Sequence, residues 1–211
     1  MAKVVCWNLS GLAEREYDRL YANAMPQRRA KADRYRRRED ALRCLGAGAL
    51  LQWAVKKELG LPSFTVEQMP GGKPYILEAP EFHYNLSHSG SWVVLAWSEG
   101  EIGVDVQQMR TDSHREDIAR RFFTPREQAW VVETGEASLL RFYQVWTGKE
   151  SYLKYLGTGL KKALNSFDVL EDPVLSMLRH SLLGEDCALT VCTGDPYCPV
   201  ETVTTAQVMA Q

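Results

Sequence analysis

The sequence predicts an α+β fold made of two loosely similar halves, residues 1–106 and 107–211. In the first half a long helical pattern is followed by closely spaced strand-like runs, which is the order expected of an α+β unit. The second half repeats that order, with helical patterns first and strand-like runs after them. A chain of 211 residues is long enough to bury a substantial core without disulfides or a structural metal.

The first half begins with an apolar run at residues 4–9 that favours a strand, and residues 11–24 favour a helix. From Glu39 to Leu59 apolar residues recur every three or four positions before Gly60, so a long amphipathic helix is predicted to end there. Four strand-like runs follow, at residues 64–68, 82–86, 92–97 and 101–107. The short segment Ser98-Glu99-Gly100 is predicted to join the last two as a hairpin.

The second half begins with a polar connector at residues 107–113. Helical patterns follow at residues 116–123, 125–133 and 139–156, and strand-like runs at residues 167–170, 187–193 and 202–208. The two halves therefore have the same predicted order of elements.

Composition excludes several classes of protein. The 25 basic and 27 acidic residues give a net charge of −2, and no apolar stretch approaches the roughly 18 to 20 residues of a membrane span. The N-terminus lacks the apolar region of a secretory signal. The five cysteines are odd in number and form no C-x-x-C pair, so neither a disulfide framework nor a cysteine zinc site is predicted. We expect a cytoplasmic protein with no membrane partner.

Charge is strongly uneven in one place. Between residues 28 and 43, eight basic residues face three acidic ones, a local excess of five positive charges. The basic residues are Arg28, Arg29, Lys31, Arg34, Arg36, Arg37, Arg38 and Arg43. Nucleic-acid binding is one interpretation, but the rest of the chain is acidic and Tyr35 alone interleaves the arginines. We therefore expect no nucleic-acid partner.

The strand-like segment Ile102-Gly103-Val104-Asp105-Val106-Gln107 alternates apolar and other residues. Because strand side chains alternate between faces, Asp105 and Gln107 share one face. Either this face is solvated, or the two side chains are ligands of a divalent metal. The hexamer alone leaves both interpretations open.

The helical pattern at residues 139–156 brings charge toward its apolar side. Lys149 falls inside the apolar arc, Glu150 lies on its border, and Lys154 stands one turn beyond Glu150. A simple Glu150 to Lys154 pair with a snorkelling Lys149 is the alternative to a functional role.

Three short motifs have both structural and functional interpretations. Gly71-Gly72-Lys73-Pro74 is typical of a turn before an edge strand, and the segment from Asn85 to Gly90, with Ser87 and His88, could hold phosphate at a strand end. Thr124-Pro125-Arg126-Glu127 has the pattern of a helix capping box, in which Glu127 could cap, catalyse or do both.

Taken together and in this order, the motifs resemble those of the surfactin-type 4′-phosphopantetheinyl transferases. The resemblance runs from about Pro26 to Phe167. Its motifs are Gly72-Lys73-Pro74, Asn85-Leu86-Ser87-His88-Ser89, Ile102-Gly103-Val104-Asp105-Val106, Phe122-Phe123-Thr124-Pro125-Arg126-Glu127, Trp146-Thr147-Gly148-Lys149-Glu150-Ser151 with Lys154, and Gly157-Thr158-Gly159-Leu160.

This resemblance implies two α+β halves related by a pseudo-twofold axis, with the active site between them. It also implies a Mg²⁺-dependent reaction in which coenzyme A gives its phosphopantetheine arm to a serine of an apo acyl or peptidyl carrier protein, releasing adenosine 3′,5′-bisphosphate. By the same resemblance Asp105 and Glu150 hold Mg²⁺, Lys154 lies against the pyrophosphate, and Glu127 or Glu150 accepts the serine proton. A monomer is expected. The pathway stays open between fatty acid, polyketide and nonribosomal peptide biosynthesis.

The resemblance also implies the remaining coenzyme A contacts. Arg28, Lys31, Arg43 and His88 are expected to hold the 3′-phosphate, Lys73 and Pro74 lie near the adenine, and Ser87 belongs to the same phosphate-binding segment. Many relatives carry a second carboxylate where this chain has Gln107, whose amide oxygen can ligate Mg²⁺ directly or through water. The alternative is a coenzyme A or carrier-protein binding module that has lost turnover.

Overall fold

The computed structural model describes residues 1–111, 114–132, 137–159 and 162–210. Its first part contains β1 (Lys3–Asn8), α1 (Glu14–Asn23), α2 (Pro26–Ala32), α3 (Arg38–Leu59), β2 (Val66–Gln68), β3 (Pro74–Ile76), β4 (His83–Ser89) and β5 (Trp92–Ser98). Then follow β6 (Ile102–Gln108), α4 (Arg115–Phe122), α5 (Pro125–Val132), α6 (Ser138–Leu156), α7 (Val174–Met177), β7 (Leu178–Leu183), β8 (Cys187–Thr193), β9 (Val200–Val203) and α8 (Thr205–Met209).

The larger sheet has the strand order β4-β5-β1-β9. β5 pairs antiparallel with both β4 and β1, and β9 runs parallel to β1. The long helix α3 packs against this sheet, where Leu45 and Leu50 belong to the same fully buried cluster as Val93 and Leu95. The helix ends where Gly60 adopts a left-handed conformation, as the sequence predicts.

The second sheet has the order β6-β8-β7, antiparallel throughout. The helix α6 lies across it, and a core forms where Phe142 and Val145 meet Leu178 and Cys192. Strands β2 and β3 form a short two-stranded sheet that pairs with neither large sheet in the described residues, although Ile76 of β3 is buried in the core of the first. Its turn is the predicted one at residues 71–74.

Strands β4 and β6 lie side by side at the junction of the two large sheets, although no backbone pairing joins them among the described residues. This junction positions the site described below, because β6 and α6 come from the second sheet and β4 from the first.

Three predicted elements are wrong. The segment at residues 98–100 makes no hairpin, because β4 and β1 occupy both edges of β5, so the chain crosses to the second sheet and β6 pairs with β8. Residues 167–170 form no strand; a 3₁₀ turn at Leu164–Ser166 leads into an irregular loop. The run at residues 202–208 splits at Thr204, whose side chain caps α8.

The division of the chain into residues 1–106 and 107–211 stays a prediction. The boundary between residues 106 and 107 falls inside β6. In addition, β9 of the second half pairs with β1 in the first sheet, so strand pairing connects the two halves. Within the described part of the chain, no helix is long and apolar enough to cross a membrane.

Candidate active site

The close approach of α6 to β6 depends on one glycine. A Cβ atom on Gly103 would meet the backbone of Ser151 and of Tyr155 inside van der Waals distance. With hydrogen in that place, α6 lies directly on the strand. The approach brings Asp105 of β6 together with Glu150 and Lys154 of α6.

Asp105 is the centre of this site and is 3% exposed. Its Oδ1 accepts hydrogen bonds from Lys154 Nζ at 2.7 Å and from Ser87 Oγ at 2.9 Å. Its Oδ2 accepts one from Gln107 Nε2 at 3.2 Å. Lys154 Nζ also donates to Val104 O at 3.0 Å. The buried carboxylate is therefore paired with a lysine and hydrogen-bonded at both oxygens, as expected of a buried charge.

Glu150 completes the cluster on the α6 side. Burial raises the pKa of its carboxyl group, and the neighbouring Asp105 charge raises it further, while Lys154 acts in the opposite direction. The two carboxylates therefore repel each other across the space between α6 and β6.

A cavity of about 280 Å³ opens beside this cluster. Its walls are the turn of residues 71–74, the helix residues Glu150 and Lys154, and the glycines Gly157 and Gly159 beyond the end of α6. The two loops touch, because a Cβ on Gly71 would collide with the carbonyl oxygen of Gly157. Motifs 86 residues apart in sequence thus form one cavity wall.

Lys73 holds that wall together from within. Its side chain is buried, and its Nζ donates to Ile102 O at 3.0 Å, to Tyr155 O at 3.1 Å and to the Glu101 carboxylate. An ammonium group has three donors, and these three acceptors use all of them. The Lys73 side chain therefore ties the turn to β6 and α6, and contacts into the cavity come from the rest of the turn.

A second cluster, made of basic side chains, lies around His88, whose side chain is on the face of β4 opposite to that of Ser87. Burial lowers the pKa of His88 to about 4, and the positive charges of Arg43, Lys154 and Lys31 act in the same direction. Arg43 itself donates to Gly90 O at 2.8 Å and pairs with Asp40. Several cations facing a neutral imidazole form a site suited to an anion.

Arg28 of α2 packs its side chain against α3. A Cβ on Gly48 would lie 3.1 Å from Arg28 Cγ, so the arginine stem rests on the glycine. Its charge is close enough to lower the pKa of the buried Tyr84 phenol against the stronger effect of burial. The glycine in the middle of α3 thus has a packing role.

Glu127 lies on a different face of α6 from the Asp105 cluster. Both Glu127 and Lys149 are fully buried, with Lys149 Nζ 2.8 Å from Glu127 Oε2. Glu127 also accepts from the backbone N–H groups of Thr124 at 2.7 Å and Val169 at 2.8 Å, while Lys149 donates to two loop carbonyls. The capping-box interpretation of Glu127 is confirmed, and the residue also anchors the loop after α6.

Comparisons with known proteins agree with the motifs. The family model described as 4′-phosphopantetheinyl transferase superfamily matches residues 101–195, and the model for the N-terminal part of 4′-phosphopantetheinyl transferases matches residues 12–100. A 4′-phosphopantetheinyl transferase of Bacillus subtilis is 38% identical over 163 residues, covering 75% of this chain and 71% of the relative. This chain belongs to the surfactin-type 4′-phosphopantetheinyl transferases.

Two further relatives agree. The 4′-phosphopantetheinyl transferase Sfp of Bacillus subtilis strain 168 is 32% identical with the same coverage, and psf-1 of Bacillus pumilus is 32% identical over 87% of this chain and 80% of its own. The protein is therefore a transferase enzyme. The two family matches meet between residues 100 and 101, in the crossing from β5 to β6.

The donor set of this transferase fits Mg²⁺. No group of three or more His, Cys, Asp or Glu side chains forms a metal cluster among residues 1–111, 114–132, 137–159 and 162–210. The two carboxylates Asp105 and Glu150 instead offer a partial set of oxygen ligands, whereas Gln107 turns its Nε2 toward Asp105 and its Oε1 toward Ser89. Mg²⁺ commonly takes one or two protein carboxylates and completes its octahedron with phosphate oxygens and water.

The transferase thus brings most of the predicted site residues into two neighbouring groups. Asp105, Gln107, Glu150, Lys154 and Ser87 form one, and His88 with the surrounding basic side chains forms the other. Their roles in binding and catalysis stay predictions. Sequence reasoning missed the partners of Ser87 and its neighbours on β4, although the alternation of Asn85, Ser87 and Ser89 already indicated one common face.

Proposed function

We propose that this transferase moves the 4′-phosphopantetheine arm of coenzyme A onto a serine hydroxyl of an apo acyl or peptidyl carrier protein, with Mg²⁺, and releases adenosine 3′,5′-bisphosphate. The proposal depends on one observation: two charged clusters lie next to each other. Asp105 and Lys154 form one beside the cavity, and basic side chains around His88 of β4 form the other. Coenzyme A presents a pyrophosphate and a 3′-phosphate, and two such sites match its two anionic groups.

In this proposal the 3′-phosphate is held by Arg28, Lys31, Arg43 and His88. Arginine forks match the geometry of phosphate oxygens, and the neutral His88 can donate or accept a hydrogen bond. The adenine lies against the turn that contains Lys73 and Pro74. Because Lys73 Nζ has three protein partners, the turn would recognise the base through its backbone and Pro74.

The pyrophosphate lies at Asp105, Glu150 and Lys154. When bound there, Mg²⁺ would offset the charge of the pyrophosphate and of the leaving phosphate. Lys154 Nζ has three protein acceptors, Asp105 Oδ1, Val104 O and the more distant Ser87 Oγ at 3.3 Å, and it would exchange one of them for the bridging or leaving oxygen. Ser87 stands beside both groups. Phosphoryl transfer asks for positioning and charge stabilisation more than covalent chemistry, and this cluster supplies both.

In the reaction itself, the serine oxygen of the carrier forms a bond to the phosphorus next to the pantetheine arm. The P–O bond to the adenylate side breaks, and its electron pair leaves with adenosine 3′,5′-bisphosphate. The serine proton passes to a carboxylate. Glu150 is favoured over Glu127 as acceptor, because Glu150 borders the cavity and its raised pKa makes it the better base, whereas Glu127 is buried against Lys149.

The experiment is incubation of the protein with coenzyme A, Mg²⁺ and apo carrier proteins from fatty acid, polyketide and peptide synthesis. The expected result is a mass gain of one phosphopantetheine on at least one carrier. Asp105→Ala and Glu150→Ala should lower the rate by orders of magnitude, since charge stabilisation at the pyrophosphate is lost. Coenzyme A binding without any transfer would instead support a binding module that has lost turnover. That alternative is considered because Gln107 stands where a second carboxylate would be expected.

We further propose a cytoplasmic monomer whose two sheet-and-helix units are related by a pseudo-twofold axis around the site. In support, Cys6, Cys44, Cys187, Cys192 and Cys198 are all free thiols, which suits a reducing compartment.

A further inference from the structure

Glu101 lies in the crossing from β5 to β6, and its carboxylate has a basic partner on each side. One oxygen pairs with Lys73 Nζ, and the other lies 3.4 Å from His83 Nδ1 of β4. The Glu101 side chain is 41% exposed, whereas that of Lys73 is 6% exposed. Glu101 therefore stands at the surface of the protein with its charge directed at a buried ammonium group.

The Lys73 ammonium group depends on Glu101 for its charge balance. Its other two acceptors are the carbonyl oxygens of Ile102 and Tyr155, which are neutral. In the part of the chain that the structure describes, Glu101 is the only acidic residue that forms an ion pair with Lys73. A buried charge that loses its partner is strongly destabilised, so without Glu101 the flexible lysine would turn its ammonium group toward water.

The Lys73 side chain in turn fixes one wall of the cavity. Its stem packs on the end of α6, where a Cβ atom on Gly157 would lie 3.2 Å from Lys73 Cδ. Tyr155 O is one of the last four carbonyl groups of α6, which lack partners within the helix, and the helix dipole favours a cation there. Movement of the Lys73 ammonium group would therefore release the turn of residues 71–74 from both β6 and α6.

We propose that Glu101 is a positioning residue for coenzyme A, which acts through Lys73 to hold the turn of residues 71–74 at the adenine end of the cavity. This inference rests on the proposed function. Glu101 itself does not line the cavity. Four residues of extended chain, about 13 Å, separate it from Asp105 at the reacting end of the site. Loss of the Glu101 charge should therefore weaken coenzyme A binding and leave the chemical step unchanged.

The test compares Glu101→Gln with Glu99→Gln. The first variant removes the charge that pairs with Lys73 and keeps the size of the side chain. The second removes a charge from an exposed side chain two residues earlier, which forms no ion pair in the described part of the chain. Calorimetry measures the affinities for coenzyme A and for inorganic pyrophosphate with Mg²⁺, carrier modification gives kcat and KM, and thermal unfolding gives the temperature at which all variants are folded.

We expect Glu101→Gln to weaken coenzyme A binding about three- to tenfold, while kcat and pyrophosphate affinity stay within about twofold of the wild type. The sign of this change is informative. Removing a negative charge near an anionic ligand strengthens binding if charge alone matters, so Glu99→Gln should bind coenzyme A as well as the wild type or slightly better. Stronger or unchanged coenzyme A binding by Glu101→Gln would overturn the inference, and so would a loss confined to kcat.

A double-mutant cycle shows whether Glu101 acts through Lys73. Lys73→Met already lacks the ammonium group, so adding Glu101→Gln to it should weaken coenzyme A binding by less than about twofold further. An equal loss with and without the lysine would overturn the inference, as would parallel losses of coenzyme A and pyrophosphate affinity, which indicate a general structural role. Coenzyme A binding without transfer by the wild type would overturn the proposed function alone, because calorimetry decides the role of Glu101 without turnover. Absence of coenzyme A binding by the wild type would overturn both.

Discussion

His88 is the single residue whose chemistry is most altered by its surroundings. Burial, together with the charges of Arg43, Lys154 and Lys31, lowers its pKa to about 4, so the imidazole is neutral at physiological pH. The basic run of residues 28–43 predicted an anion site, but no pattern in the sequence predicted that its histidine would be uncharged. That property depends on side chains from α2, α3 and α6 converging on β4.

A bound 3′-phosphate should raise the pKa of His88, since its negative charge favours the protonated imidazole. We predict that the NMR titration of His88 moves upward from about 4 when coenzyme A binds. Coenzyme A lacking the 3′-phosphate is the matched control and should leave the titration near its unliganded value. An unchanged pKa with intact coenzyme A would separate His88 from that phosphate.

The same depressed pKa makes stability depend on pH. The folded protein keeps His88 neutral down to about pH 4, whereas the unfolded chain protonates it below its usual value near 6.5. The stabilisation of the fold by neutral His88 is therefore present in full above pH 6.5 and is lost as the pH falls toward 4. Urea unfolding between pH 7 and 4 should show a steeper loss for the wild type than for His88→Gln, and parallel curves would contradict the assignment.

Gln107 marks the difference between this chain and many of its relatives. Its Nε2 donates to Asp105 Oδ2 at 3.2 Å, so the side chain lies beside the proposed metal. Gln107→Glu adds a negative charge there and should lower the Mg²⁺ concentration needed for half-maximal transfer, while Gln107→Ala should change it little because water can replace an amide ligand. If alanine abolished transfer and glutamate gave no gain, Gln107 would be an essential ligand.

At the level of elements, sequence patterns identified the helices and several strands because the evidence for them is local. The Gly60 stop defined the end of α3, and the apolar run at residues 187–193 coincides with β8. β7 was missed, since its polar residues from Arg179 to Ser181 interrupt the apolar pattern. The hairpin predicted at residues 98–100 is wrong because a short turn does not determine which strands pair. Both edges of β5 are already paired, with β1 and with β4.

Gly103 tests the packing of α6 on β6. Gly103→Ala would place a methyl group against the backbone of Ser151 and Tyr155, which cannot move as a flexible side chain could. We expect a loss of at least about 2 kcal/mol in unfolding free energy, measured in urea, together with a fall in transfer rate. Gly100→Ala is the control, because nothing lies within 4 Å of its Cβ. Equal stabilities for the two variants would mean that α6 does not rest on the strand.

Glu127 and Lys149 form a fully buried ion pair between α5 and α6. Removing one partner leaves a charge buried without compensation, so Lys149→Met should cost about 3 to 5 kcal/mol of stability. The double variant Glu127→Gln with Lys149→Met should recover part of that loss in a double-mutant cycle. Additive losses without recovery would contradict a direct pair, whereas transfer lost in Glu127→Gln at unchanged stability would favour Glu127 as the base.

On the scale of the whole molecule, the site depends on contacts that are distant in sequence. The ordered motifs predicted the family and most of the residues near Asp105, because each motif is short and specific. The junction of β4 with β6 and the return of β9 to the first sheet could not be read from the sequence, since they follow from three-dimensional pairing. For the same reason the sequence indicates a ligand contact for Lys73 and leaves Glu127 open between capping and catalysis, whereas the buried partners of both side chains follow only from the fold.

The central claim is that this transferase cleaves coenzyme A at the Asp105 cluster and gives the phosphopantetheine arm to a carrier serine. The most direct measurement follows both products of one reaction, the modified carrier by mass spectrometry and adenosine 3′,5′-bisphosphate by chromatography. The account predicts that they form in equal amounts with the wild type, and that Asp105→Ala forms neither at a comparable rate while still folding. Nucleotide released without carrier modification, or equal transfer by Asp105→Ala, would contradict it.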